Sequence, residues 1–485
     1  MSISSAISNA VTGLNAASRG AENVSTNIAN ALTPGYARRE VDLAPRSSGQ
    51  AGGVQITGIR RLIDTALLGD SRLAQASAGA SGAIASFHAA MEQAFGTAGS
   101  SSSLGSNLTQ FSAAVSAAAA RPDSETRLTA VLDTATDLAE RINDIATAIQ
   151  AERSKAEQAI ESDVAQLNRA LAQVADLNGQ IVSLKAQGKD PSSLMDARQA
   201  AIDAVAQILP IREVARENDR VALFTTEGSV LLDGTTPARL GFDSTAQVSA
   251  DMSLAGGQLN ALTLNGKPLS GVQMQMLSGG RLGAGFEIRD RVAPQYQQQI
   301  DAFARELHDR LASPSVDASL PAGSPGLFTD AQSILNPANE TGFASRIAVT
   351  ATVDPDSGGA LWRIRAGLNA PDAGSVGESS LLLRIDAALA ASQAPGSATF
   401  PPAKRNLAAL ASELASGAAS NRLRSAADAL QDSTHHNGLK SALLADGVDT
   451  DREMEGLLAL ERAYSANAKV FQTANDMLDT ILRWT

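Results

Sequence analysis

Acidic side chains cluster near the C-terminal end of the chain, at Asp446, Asp449, Asp451, Glu453 and Glu455. Carboxylates at that density could hold calcium, but these lack the EF-hand register and its central glycine. A different chemistry fits the spacing. Thr450 with Glu453 three residues on forms a capping box, and Asp449, Asp451 and Glu455 place negative charge at the positive end of a helix dipole. His435-His436 could bind a metal, yet sequence neighbours are poorly placed to chelate one ion from a helix and no third ligand stands near, so the pair reads as an exposed polar turn. His88 and His308 fall in helical stretches and are expected to face solvent or a helix interface. The run from Gly279 through Gly280, Arg281, Leu282, Gly283 and Ala284 to Gly285 has the glycine density of a phosphate loop without its Gly-Lys-Ser/Thr ending, and reads as a loop or a bend between strands. No cysteine occurs, which removes disulfides, thiolate metal sites and cysteine nucleophiles. With four histidines and no G-x-S-x-G elbow, general-base and nucleophilic chemistry have little to work with. The expectation is no enzyme, no cofactor and no metal.

The more informative spacing is apolar. Ile3, Ile7, Ala10, Leu14, Ala17, Ala21, Val24, Ile28 and Ala31 alternate steps of four and three, and so do Leu457, Leu460, Tyr464, Asn467, Phe471, Ala474, Leu478 and Ile481. Three-four spacing is a coiled-coil seam, which one helix alone cannot satisfy. Each terminal helix therefore needs a partner, and the nearest candidate is the other terminus. Two amphipathic helices lying on an ordinary globular body would show the same pattern. A helix from Ile3 to Ala31 would run about 40 Å and has little core of its own.

The elements that must carry these seams follow from composition and punctuation. Among 485 residues, 44% are hydrophobic but only 3% aromatic, so cores must be built from Ala, Leu, Val and Ile, which favours helical bundles. A formal charge of −12 argues against nucleic acid or an anionic membrane as the main partner. The first twenty residues lack a basic segment followed by an apolar one, so no secretory signal is expected, and no stretch approaches 18 uninterrupted apolar residues.

Thr33, Pro34, Gly35 and Tyr36 stop the first helix in a type II turn, where Pro presets φ and Gly accepts a positive one. Val41, Leu43, Val54, Ile56 and Ile59 predict extended segments around Gly52-Gly53, and Gly96 to Gly105 reads as a loop between helices. From Leu128 to Leu184 few breakers interrupt the helical period, predicting long rod-like helices that end at Gly188. Asp190 reads as an N-cap with Pro191 at the first helical position, and the helix it starts stops before Pro210. Val221 to Leu232 and the Asn265-Gly266 turn predict small hairpins. Helix returns from about Pro294 to Leu311, strand-like Ile347, Val349, Val353, Trp362 and Ile364 follow, and helices from Ala403 onward are broken by Gly438 and Gly447. The fold class is thus mainly α with inserted α+β parts: terminal coiled-coil helices, a long helical rod domain and small β-rich insertions. The expected divisions are a terminal helix with its turn (1–45), the first part of the helical rod (46–210), a β-rich insertion (211–285), a helix returning to the rod (286–315), a small α+β outer domain (316–402), the last part of the rod (403–447) and the closing helix (448–485).

The segment from Asn23 to Arg38, with Asn27, Thr33, Pro34, Gly35 and Tyr36, resembles the N-terminal signature of bacterial flagellar rod, hook and hook-associated proteins, the axial family. The stretch from Glu461 to Asp479 is similar to their C-terminal signature. Leu177-Asn178 with Gln180-Ile181, then Asp196 and Arg198 leading into the Val221 to Gly234 hairpin, resemble the hook-associated branch that forms the first hook–filament junction. The chain is short for that branch, with a reduced outer domain between Leu327 and Phe400, so no surface function of that domain carries over.

The resemblance implies a structural adaptor that self-assembles at the hook tip and seats the filament, located in the extracellular flagellum after passage through the flagellar type III export apparatus. Its implied partners are further copies of itself, flagellar hook protein, the second junction protein and an export chaperone, with no nucleic acid and no membrane. The assembly interface would be Ile3, Ile7, Leu14, Val24, Ile28, Leu457, Leu460, Tyr464, Phe471, Leu478 and Ile481, with Thr33 to Tyr36 as the signature turn. A hook or rod structural protein, or a secreted helical adhesin that bundles its own ends, would share much of this pattern.

Overall fold

The computed structural model describes residues 2–33, 35–46, 52–97 and 99–483. Helix α1 (Ile3–Ala29) starts at Ser2, whose side chain accepts from the Ser5 amide. A turn closes it, with the Tyr36 amide donating to the Thr33 carbonyl at 3.1 Å and Gly35 at φ +80°. Pro34 of that turn lies outside the described residues. Strands β1 (Arg38–Pro45) and β2 (Val54–Leu62) pair antiparallel, so the hairpin runs across the division expected at residue 45. Helices α2 (Thr65–Phe95) and α3 (Leu104–Ala120) lead to α4 (Glu125–Ala186), which at 62 residues extends roughly 90 Å. Its stripe Leu128, Val131, Ala135, Leu138, Ile142, Ile145, Ile149 and then Ile160, Val164, Leu167, Leu171 and Val174 is buried throughout, which is what the helical period asks for.

Helix α5 (Ser192–Ala206) begins two residues after Asp190, whose carboxylate takes the Ser192 amide while Pro191 occupies the cap position, one place later than the sequence predicts. Strands β3 (Ile211–Ala215), β4 (Val221–Thr225), β5 (Val230–Asp233) and β6 (Thr236–Pro237) form one antiparallel sheet, and β7 (Leu240–Gly241), β8 (Thr263–Leu264) and β9 (Lys267–Pro268) another. Two asparagines ten residues apart on α4 hold these sheets. Asn168 gives and takes one hydrogen bond with the Leu240 backbone, at 2.7 and 3.0 Å, and Asn178 does the same with Val221 at 2.9 and 3.2 Å. An Asn side chain carries the donor and acceptor of a peptide group, so each one imitates a neighbouring strand. Arg198 on α5 also donates to Asn178, at 2.9 Å.

The short α6 (Gly271–Gln275) precedes α7 (Gly280–Glu287), a π-helical turn (Ile288–Val292) and α8 (Ala293–Leu311), the last three forming one unbroken helical run. The glycine-rich segment is therefore mostly helix, not a loop or a bend between strands. Its glycines permit backbone contact: Gly280 sits at φ +60°, and a Cβ there would meet the Ile208 carbonyl group and stand 3.0 Å from the Cα of Leu209. Pro294 does not begin a helix but lies inside this run. It has no amide hydrogen, and the Ala293 amide reaches back five residues to the Ile288 carbonyl, which makes the π turn. The Arg289 carbonyl is met instead by the buried Nε of Arg153 on α4 at 3.0 Å.

Beyond α8, β10 (Phe328–Asp330) pairs with β11 (Ile347–Val349). Val353 lies in a 3-10 turn, and Trp362 and Ile364 border or join the four-residue helix α9 (Arg363–Ala366), so the strands expected there do not form. Thr350 and Asp354 hydrogen-bond local amides and favour turns over a ladder. Helix α10 (Ser380–Ala390) completes this part, and α11 (Leu407–Ala445) and α12 (Thr450–Arg483) close the chain. Gly438 does not break α11, since one glycine inside a helix costs only about 1 kcal/mol. His435 and His436 therefore lie on a helix and not in a turn, with His436 Nδ1 3.3 Å from the Ser71 carbonyl oxygen of α2. His88 and His308 are both buried, His88 between α2 and α8 against the Tyr296 hydroxyl and His308 against the Leu335 amide and the Phe343 ring.

Two apolar cores result. One joins α2, α3, the first half of α4, α8, α10 and α11; the other joins the second half of α4, α5 and the sheets β3 to β9. Where they meet, α4 carries buried charges in place of its apolar stripe. Glu157 accepts from Arg289 at 2.7 Å, and Arg153 donates to the carbonyls of Ser249, Met252 and Arg289.

Candidate assembly interface

The terminal helices α1 and α12 pack antiparallel, and the residues between them are small on one side. A Cβ on Gly13 would stand 2.6 Å from the Asn467 side chain, and one on Gly20 would stand 2.8 Å from Leu460. Further along the same face, Asn27 hydrogen-bonds Glu453 at 3.0 Å. Each step of seven forward along α1 thus meets a step of seven back along α12, as a heptad-matched pair requires. The glycines let the two backbones approach more closely than side chains would allow.

This contact stripe is rotated from the one read in the sequence. Ala10 and Ala17 are buried and Val24 is half-buried, while Gly13, Gly20 and Asn27 meet α12 where the sequence assigns Leu14, Ala21 and Ile28. Ile3, Ile7, Leu14, Val24, Ile28, Leu457, Leu460 and Leu478 are half-buried. Tyr464, Phe471 and Ile481 stay exposed, at 48%, 37% and 53% of their surface. Among the seam residues named from the sequence, Leu460 and Asn467 are brought directly onto α1.

At the end of the pair lies a buried polar knot. Asn27, 1% exposed, uses its whole amide: Nδ2 donates to Glu453 Oε2 and to the Arg39 carbonyl at 2.9 Å, and Oδ1 accepts from the Tyr36 hydroxyl at 2.7 Å and the Arg39 amide at 3.0 Å. Glu453, 2% exposed, takes Arg38 Nε on its other oxygen at 2.6 Å. Burial raises the Tyr36 pKa, with Arg39 pulling the other way, so the phenol remains a donor at neutral pH. The knot continues to α5, where Asp196 accepts from Arg39 at 2.5 Å and from Arg61 of β2 at 2.9 Å, while Arg61 also reaches Gln199. The Arg39 guanidinium stacks 4.9 Å over the Tyr36 ring.

Glu453 is therefore not the capping-box partner expected for Thr450. Asp449 caps α12, its carboxylate accepting from the Asp451 and Arg452 amides at 3.0 and 3.2 Å. Within the acidic cluster, cap chemistry belongs to Asp449, whereas Glu453 binds Asn27 and Arg38 at the opposite end of the chain.

Residues 88–313 match the family described as the flagellar hook-associated protein FlgK helical domain, and residues 440–483 match the flagellar basal body rod FlgEFG protein C-terminal family. Over these stretches the chain is similar to flagellar hook-associated proteins. Flagellar hook-associated protein 1 of Salmonella typhimurium is 26% identical over 323 residues, covering 63% of this chain and 56% of that protein. Its namesakes in Escherichia coli and Bacillus subtilis are 27% and 28% identical over 249 and 220 residues, covering 49% and 43% of this chain and 45% and 43% of theirs. The chain spans about half the length of these curated relatives. A solved structure, the flagellar hook junction protein FlgK from Burkholderia pseudomallei, aligns with 54% of this chain and 46% of its own at 18% identity and a TM-score of 0.44.

The knot gives several residues of the stretch from Asn23 to Arg38 a physical task. Asn27, Gly35, Tyr36 and Arg38 all lie in the N-terminal signature, and each shapes or joins the contact with Glu453 and α5. Sequence reasoning missed Gly13, Gly20, Arg39, Arg61 and Glu453 as parts of this site. One signal was available: an asparagine continuing the seven-residue series of Gly13 and Gly20.

Proposed function

We propose that this chain is a non-enzymatic structural adaptor of the hook–filament junction, which assembles with further copies of itself at the hook tip and seats the filament. The observation that carries the reading is the unfinished terminal pair. Its antiparallel helices are tied to each other and to α5, yet Tyr464, Phe471, Met477 and Ile481 of α12 remain exposed, an apolar surface suited to neighbouring subunits. Head-to-tail repetition without closure turns such contacts into a helical array. The hook-associated family supports placement among flagellar hook components. Hook protein, the second junction protein, an export chaperone and passage through the type III export apparatus belong to this proposal. Among the described residues no helix is long and apolar enough to cross a membrane, and that fits a subunit held by its neighbours.

Deleting the gene and examining cells and medium by electron microscopy tests the role. Bare hooks with filament protein shed into the medium are expected. Loss of the hook would move the role to a hook or rod protein, a reading that the rod-type family match over α12 favours locally. Intact filaments would overturn both.

A further inference from the structure

The small-residue face of α1 offers two equivalent seats. Gly13 and Gly20 lie one heptad apart, and in the observed alignment Gly20 takes Leu460 while Gly13 takes Asn467. Sliding α12 by seven residues would bring Leu460 to Gly13 and Glu453 to Gly20, with the helical repeat almost unchanged. The close-packed face therefore attracts α12 without choosing where it stops. The polar knot does choose. In the slipped alignment Glu453 would leave both Asn27 and Arg38, and the Asn27 amide would lose one of its four hydrogen bonds inside the interface. A buried carboxylate without partners is one of the costliest defects a helix interface can hold.

We propose that Asn27, Glu453 and Arg38 form a register lock, which selects a single antiparallel alignment of α12 on α1 from heptad-related alternatives that the Gly/Ala face accepts alike. A lone polar pair fixing the register of an apolar seam is a general device of coiled coils. The Asp196 contacts to Arg39 and Arg61 extend the effect, because they fix the locked end of the pair against α5. Such a lock acts within the folded chain and stands or falls apart from the junction reading.

The absence of native cysteine makes the alignment directly readable. In the full-length chain, Gly20→Cys with Leu460→Cys reports the observed register, and Gly13→Cys with Leu460→Cys reports a slip of one heptad. Intramolecular disulfides are formed by mild oxidation and mapped by peptide mass spectrometry. With the lock intact, only the first pair is expected to cross-link. In an Asn27→Leu, Glu453→Leu background, cross-linking of the second pair is expected to rise roughly tenfold. Continued cross-linking of the first pair alone would overturn the proposal. Loss of both cross-links would also overturn it, because the polar residues would then be holding the helices together and not selecting their alignment. Glu453→Gln, which keeps the side-chain length and one acceptor oxygen, serves as the conservative variant: with circular dichroism confirming native helix content, it is expected to keep the first pair alone.

Discussion

Glu453 stands in the first turn of α12, yet neither of its oxygens caps that helix; one meets Asn27 and the other Arg38. Truncating it to Ala strands a buried Asn27 amide hydrogen and should cost about 1–3 kcal/mol. Hydrogen exchange of the α1 amides is the measurement, because the loss falls on the terminal pair, and unchanged protection would count against the contact. Asp301 is a second buried carboxylate with a different consequence. It accepts from the Gly342 and Ala344 amides at 2.7 and 2.8 Å and from Gln297 at 2.9 Å, but burial outweighs these bonds and pushes its pKa up to about 6. Because the folded value lies above the unfolded one, the folded state binds this proton more tightly. The stabilisation is complete below about pH 4 and is lost as pH rises through 6. Asp301→Asn should flatten the fall in unfolding free energy between about pH 4 and pH 6.5, a slope of at most about 1.4 kcal/mol per pH unit for one proton. Denaturant titrations of both proteins across that range would show it.

Among the elements, the run from Gly280 to Leu311 shows what local pattern can and cannot convey. Gly280→Ala places a Cβ against the Ile208 carbonyl at a positive φ, and should destabilise the second core by more than about 2 kcal/mol, read as a lowered unfolding midpoint with helix content retained. The glycine density at 279–285 was visible in the sequence, but the chain that crosses it comes from Ile208 and Leu209, so spacing alone gave no reason to prefer helix over loop. The long apolar stripe of α4 was legible because its period is local and strong. Its interruption at Arg153 and Glu157 acquires meaning only with Pro294, which removes an amide hydrogen from α8 and leaves the Arg289 carbonyl for Arg153. Arg153→Met should strip the Arg153 hydrogen bonds from the Arg289, Met252 and Ser249 carbonyls at the boundary of the two cores, leaving Ser249 only its bond from the Met252 amide. The expected outcome is two calorimetric transitions in place of one cooperative unfolding, and a single undivided transition would sink that view. The terminal seams were legible as unsatisfied helices, but their contact face was not, since Gly13 and Gly20 count as neutral in any apolar pattern and yet decide which side of α1 receives α12.

For the molecule as a whole, the exposed apolar side chains of α12 and its buried knot act in different directions. The knot organises the chain internally, whereas Phe471 and its neighbours are open to other copies under the proposed role. Phe471→Asp should therefore abolish incorporation into the flagellum while thermal unfolding of the two cores stays within about 0.5 kcal/mol of the parent, as for other surface changes away from the packed interior. Normal filaments in that mutant would remove the seam from the assembly account.

The hydrogen bond between Asn27 and Glu453 joins residues 426 positions apart. During synthesis, Asn27 is made 426 residues before Glu453, so α1 must wait, incompletely paired, until the intervening chain has emerged. Entropy is a mild obstacle to so distant a closure, because its cost grows only with the logarithm of the loop. Timing is the stronger constraint. The helix that covers Gly13 and Gly20 is α12, and a chain arrested before Glu453 would present an uncovered α1 to whatever binds nascent proteins.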